Sequence, residues 1–111
     1  QNEIMIDEGF SCSSISMTKI MVKRGLNPDV DVNSLILSLV SNGNGNRYEI
    51  SNNTAETSDV KMYGGGKILI PGQGESKTYN FSIGNVNSVS IAPAFKEGIT
   101  CDAVTAEVSK C

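Results

Sequence analysis

Histidine and tryptophan are absent from this 111-residue chain, and aromatic residues make up only 5% of it. Without histidine, the commonest general base and a favoured metal ligand are missing. The nine Lys and Arg residues are scattered and the net charge is −3. Nucleic acid demands a concentrated basic stripe, so that class of partner is not expected. Long hydrophobic runs are also lacking. The longest fall well short of the roughly 20 residues of a membrane helix, so the chain as written is expected to be soluble. It starts at Gln1, not Met, which fits removal of a leader or a chain cut to its soluble part.

Helical periodicity over three turns is missing as well, and there is no internal repeat or linker. What is present is alternation. Arg24 to Gly43 sets the pattern: a turn at Gly25–Asp29, then Leu35, Leu37 and Leu39 alternating with Ile36, Ser38 and Val40. A period of two marks a strand. The turn-formers Ser41 to Asn46 follow, and Arg47–Ile50 returns as a second strand. Similar short strands are predicted at Glu3–Ile6, Met17–Lys23, Val60–Tyr63, Lys67–Ile70, Thr78–Ile83, Val86–Ala92 and within Ile99–Val108. Gly64–Gly66, Pro71-Gly72, Gly84-Asn85 and Pro93 punctuate them, and Ala94–Gly98 reads as a loop. Such spacing predicts an all-β fold, an antiparallel β-sandwich or barrel, as a single domain over 1–111 with at least six strands. The predicted core is Ile20, Val22, Leu35, Leu37, Leu39, Tyr79, Phe81, Ile83, Ile91 and Val104.

Three cysteines, Cys12, Cys101 and Cys111, match no zinc spacing. A Cys12–Cys101 bond would close a long loop and contribute roughly 4–5 kcal/mol in the chain-entropy model. That pairing is preferred because Cys111 is the last residue and chain ends fray. Cys12–Cys111 is the alternative, and a reduced protein with three buried thiols is the remaining reading. A disulfide implies an oxidising compartment.

Few side chains suggest chemistry. Asn27, Asp29, Asp31 and Asn33 recur at every second position and could offer oxygens to calcium. The EF-hand glycine and terminal glutamate are missing, however, and Pro28 beside Asp29 is also ordinary turn chemistry. No metal is therefore expected, with Asp29 and Asp31 as the only candidate ligands. Gly64-Gly65-Gly66-Lys67 lacks the phosphate-loop spacing and leads into a predicted strand. No nucleophile has a base beside it in any known motif. An enzyme is not expected, and no cofactor is implied. Asn52-Asn53-Thr54 and Asn80-Phe81-Ser82 are sequons, making Asn52 and Asn80 glycosylation candidates on an exported protein.

The run V-K-R-G-L-N-P-D-V-D-V-N-S-L-I-L-S-L, from Val22 to Leu39, resembles the first long hairpin of archaellins, the subunits of the archaeal swimming filament. Ile70-Pro71-Gly72 resembles the turn before a late strand of that family. Val89-Ser90-Ile91-Ala92-Pro93, followed by Gly98, resembles its closing strand. Archaellins begin with a long apolar helix and usually lack cysteine, so this chain departs from them in both respects. The resemblance implies the β-sandwich head of an extracellular filament subunit, of archaellum or type IV pilin-like kind. It implies glycosylation at the cell surface and copies of itself as partners. It also implies a membrane link only through an N-terminal assembly segment ahead of Gln1. A bacterial pilin is a variant in which Cys101 and Cys111 would close a C-terminal loop. The competing class is a secreted or surface-anchored binding or adhesion module, including an accessory filament protein that contacts the surface layer.

Overall fold

Where apolar and polar residues alternate, the chain is extended and one side chain in two turns inward. The computed structural model describes residues 4–26, 32–52, 54, 56–95 and 103–111. Among these, ten strands form: β1 (Ile4–Ile6), β2 (Cys12–Ser13), β3 (Thr18–Arg24), β4 (Val32–Ser41), β5 (Asn44–Ser51), β6 (Val60–Met62), β7 (Ser76–Phe81), β8 (Val86–Phe95), β9 (Val104–Glu107) and β10 (Ser109–Lys110). Helix is limited to one 3-10 turn at Glu8–Phe10. One sheet has the order β10-β2-β3-β7-β6, with β1 also paired to β3, and the other has the order β5-β4-β8-β9. The sheets face each other as a sandwich across a shared core, and no closed barrel forms.

The core comes from the two inner faces. Ile20, Val22, Tyr79 and Phe81 on one sheet meet Leu35, Leu37, Leu39, Val89 and Ile91 on the other, all without solvent exposure. Tyr48 crosses between the sheets, its ring 4.9 Å from that of Phe81. Ile83 and Val104 are half-buried and pack on the rim of this cluster. Ile83 lies just past the end of β7, and Val104 opens the edge strand β9, so each is covered from fewer sides.

Three local readings change. Lys67–Ile70 is not a strand; among the described residues its sole pairing is a bridge from Ile68 to Thr54. Ile68 and Ile70 are nevertheless buried. Gly64, Gly65 and Gly66 before them all have φ near +90°, Pro71 after them has no N–H, and the Ile70 N–H donates to Asn52 Oδ1. No ladder propagates between such neighbours. The β4–β5 turn is tighter than the run of turn-formers suggested. Only Asn42 and Gly43 turn, both at positive φ, as a two-residue hairpin whose twist suits the strands. Finally, β8 continues through Pro93 to Phe95. The alternating register with β4 aims the Pro93 nitrogen towards the β9 side. Described pairing with β9 reaches only Ile91, so the missing N–H breaks no described bond there.

Two hydroxyl clusters tie the sheet edges together. β1 and β2 both line the same edge of β3, interrupted by the 3-10 turn. Ser11 fills the gap: it accepts from Met21 N–H and donates to the Asp7 carbonyl. Asp7 in turn caps the turn at Gly9 and pairs with Lys23 at 3.0 Å. Deeper, Thr18 Oγ1 donates to the Ile83 carbonyl at 2.6 Å. Its proton is therefore committed, and Ser13 Oγ donates to Thr18 at 2.8 Å while accepting from Val86 N–H. Buried hydroxyls of this kind are stabilising only when satisfied.

Tyr79 adds a pH dependence. Its hydroxyl donates to the Leu69 carbonyl at 2.6 Å, and burial pushes its pKa up. Burial and then the charge of Asp59 raise Tyr48 in the same direction. The folded state thus holds these protons more tightly than the unfolded chain, which ionises first, near pH 10. Their contribution is fully present below about pH 10 and is lost as pH rises towards the folded values. Tyr79→Phe should flatten this alkaline decline and cost about 1–3 kcal/mol at neutral pH, because the Leu69 carbonyl loses its donor. Urea midpoints measured across the alkaline range check both parts. An unchanged alkaline slope in Tyr79→Phe would count against the assignment.

Candidate functional site

The sequence singled out cysteines, two carboxylates and two sequons, and the fold does not gather them into one place. Asp29, Asp31 and Cys101 lie outside the described residues. Among the described residues, no cluster of three Cys, Asp or Glu side chains is arranged to hold a metal. Asn52 sits in the turn after β5 and spends its side-chain oxygen on Ile70. Asn80 lies on β7, half-buried, on the outer face of the larger sheet.

Cys12 is bonded to Cys111, with the Cα atoms 4.8 Å apart. This replaces the preferred Cys12–Cys101 pairing, since Cys12 forms one such bond. The expectation of a fraying end fails for a tertiary reason. After β9 the chain leaves the smaller sheet at Val108, which is buried, and crosses to the larger one. There β10 pairs with β2 in parallel, Ser109 beside Cys12 and Lys110 beside Ser13. Cys111 N–H then donates to the Ser13 carbonyl at 3.1 Å. No local signal announces a parallel pair of two residues each, contributed by opposite ends of the chain.

The feature that periodicity and motifs did not announce is the outer face of the larger sheet. Register places Lys61, Asn80, Lys19 and Cys12 in one row across it. Thr78 and Met21 occupy the next row, and Ser76, Lys23 and Met5 the one after. Phe10 from the 3-10 turn, Met17 from the β2–β3 turn and Tyr63 beyond β6 border these rows. Met5, Phe10, Met17 and Tyr63 are 48–64% exposed. Lys19 Nζ sits 5.7 Å from the centre of the Tyr63 ring, a cation–π geometry. Two shallow hollows indent the face. One, of about 300 Å³, lies among Cys12, Met17, Lys19, Tyr63 and Asn80. The other, of about 170 Å³, is bounded by Phe10, Met21 and Tyr63.

A third hollow, of about 480 Å³, lies on the other side of the Cys111 strap, between Ser14, Ile15, Asn85, Asn87 and Lys110. Its polar groups largely serve the backbone. Ser14 accepts from Met17 N–H and its carbonyl takes the Asn85 N–H. Gly84, next to Asn85, packs so tightly that a Cβ there would run into the Ile15 backbone.

Chemically, the outer face offers polarizable and aromatic contact area with lysine at its centre. Of its described carboxylates, Asp7 is paired with Lys23. Large exposed Met, Phe and Tyr side chains on one rigid face suit binding to another surface. No family model, no curated protein and no solved structure matches the chain.

Proposed function

We propose that this domain is the head of a structural subunit in an extracellular filament, of archaellum or type IV pilus-like kind, and that it assembles without catalysing. The observation that carries this reading is the Met5, Phe10, Met17, Met21 and Tyr63 surface. It lies on a sheet held rigid by ladders and by the Cys12–Cys111 bond. The described polar side chains support it too, because they serve turns, caps and ladder gaps and do not converge on a shared point. A disulfide tying the two ends of the chain suits an oxidising exterior. In a filament one weak contact is repeated along the assembly, and repetition supplies the stability. The alternative is a secreted or surface-anchored adhesion module using the same face, and the Tyr63–Lys19 pair favours it equally.

Electron microscopy of the full-length product on its native cell surface separates the two. The filament reading expects the protein along filaments that are lost or shortened when its gene is removed. A dispersed monomer, in cells that still build all their filaments, would replace it with the adhesion module. The isolated domain is expected to be mostly monomeric at micromolar concentration.

A further inference from the structure

The two outer faces of the sandwich differ in charge and texture. On the larger sheet, Lys19 and Lys61 have no carboxylate within ion-pair distance among the described residues. Removing these two charges from the chain's net −3 leaves −5 on the remainder. On the smaller sheet, register aligns Ile36 with Ala92, Ser38 with Ser90, and Val40 with Ser88 down the outer side. This central strip is half-buried and made of small or aliphatic side chains. Glu49 on β5 and Glu107 on β9 flank it, both exposed. Arg47 lies 3.9 Å from Glu49, while Glu107 has no cation within ion-pair distance among the described residues. One side is thus a basic ridge of Met, Phe and Tyr, and the opposite side is a smooth strip bordered by the Glu49–Arg47 pair and by the unpaired Glu107, with one net negative charge among these three.

We infer that the occupant of the basic face is the acidic outer face of a second copy of this chain, stacked head to tail. The inference rests on the filament reading and names its contact. Complementary charge argues for this arrangement. The symmetric alternative, basic face on basic face, sets Lys19 and Lys61 against their own copies. A contact between two different faces on opposite sides of the molecule leaves both end faces open, so copies add without closure. Size agrees with weak single contacts. Seven-residue β3 spans roughly 23 Å, and the neighbouring strands give a width of roughly 19 Å. That is about half the area each partner contributes to a standard stable interface. Asn80 lies in the middle of the basic face, so this stacking requires it to be unglycosylated; Asn52, in the turn after β5, is outside the contact.

Charge exchange tests the pairing. Sedimentation of the purified domain at low salt should show average mass rising steadily with concentration towards millimolar, without a plateau at the dimer. High salt should suppress it. Lys19→Glu with Lys61→Glu should weaken association about tenfold or more, and so should Glu49→Lys with Glu107→Lys. Mixing the two doubly substituted proteins should restore it, since each offers the face the other lacks. Retained circular dichroism keeps unfolding from mimicking the loss. Three results would overturn the inference: association of the Glu49/Glu107 variant equal to wild type, a plateau at the dimer, or a glycan on Asn80 in the native protein. Native filaments that incorporate the Lys19/Lys61 variant normally would reject this contact and leave the filament reading standing. Stacking confirmed in solution, for a protein absent from its cell's filaments, would reject the filament reading and leave the contact standing.

Discussion

Reduction of the Cys12–Cys111 bond is expected to lower the unfolding free energy by about 4–5 kcal/mol, as large a loss as any single change in this domain should produce. The bonded residues are 99 apart in sequence, so the bond removes most of the end-to-end freedom of the unfolded chain. Little else holds the last strand. Ser109, Lys110 and Cys111 are all exposed, and β10 pairs over two residues only. Once the bond is broken, β10 should leave β2 while Ala106 and Val108, buried on the smaller sheet, stay docked. Urea unfolding with and without reductant gives the magnitude. Hydrogen exchange should show protection lost first at Ser13, Cys12 and Cys111. Cys111→Ser should reproduce the loss, whereas Cys101→Ser should leave the bond intact. A peptide map of the non-reduced protein that joined Cys12 to Cys101 would sink this account.

Leu37→Ala is expected to cost about 2–5 kcal/mol. Leu37 is at the centre of β4, opposite Tyr48 on one side and Ile91 on the other, with no solvent exposure. Both neighbouring strands are paired along their length there, so the backbone cannot close over the space left behind. The next residue supplies a control. Ser38 points to the outer face between Arg47 and Ser90, and Ser38→Ala should change stability by no more than about 0.5 kcal/mol. Equal midpoints for the two variants would mean that the inward and outward faces of β4 had been exchanged.

That contrast between neighbours is legible in the residue order alone. A strand alternates sides every residue, so Leu35, Leu37 and Leu39 declare an inner face by themselves, as do Tyr79 and Phe81. That a turn follows β4 is legible too, but its place at Asn42-Gly43 is not, because Ser41 to Asn46 are all turn-formers and the pairing of β4 with β5 selects among them. Lys67–Ile70 reads as a strand but forms none, since a ladder depends on partners as well as on period, and the burial of Ile68 and Ile70 goes beyond the predicted core. The Ile83 and Val104 positions fail for a related reason. Their character is apolar, but their place at a rim is set by where neighbouring elements end.

By itself, then, the sequence determined the all-β class, the inward faces of β3, β4, β7 and β8, and the absence of a histidine-based site. These are local properties, written in spacing of two and in turn chemistry. Tertiary structure alone decided which cysteine meets Cys12, because β10 reaches β2 only after the chain crosses between sheets. It also decided that Met5, Phe10, Met17, Met21 and Tyr63 share one surface. They come from separate segments, and each looks ordinary in its own stretch. Register between strands brings them together, and register is a relation between distant parts of the chain.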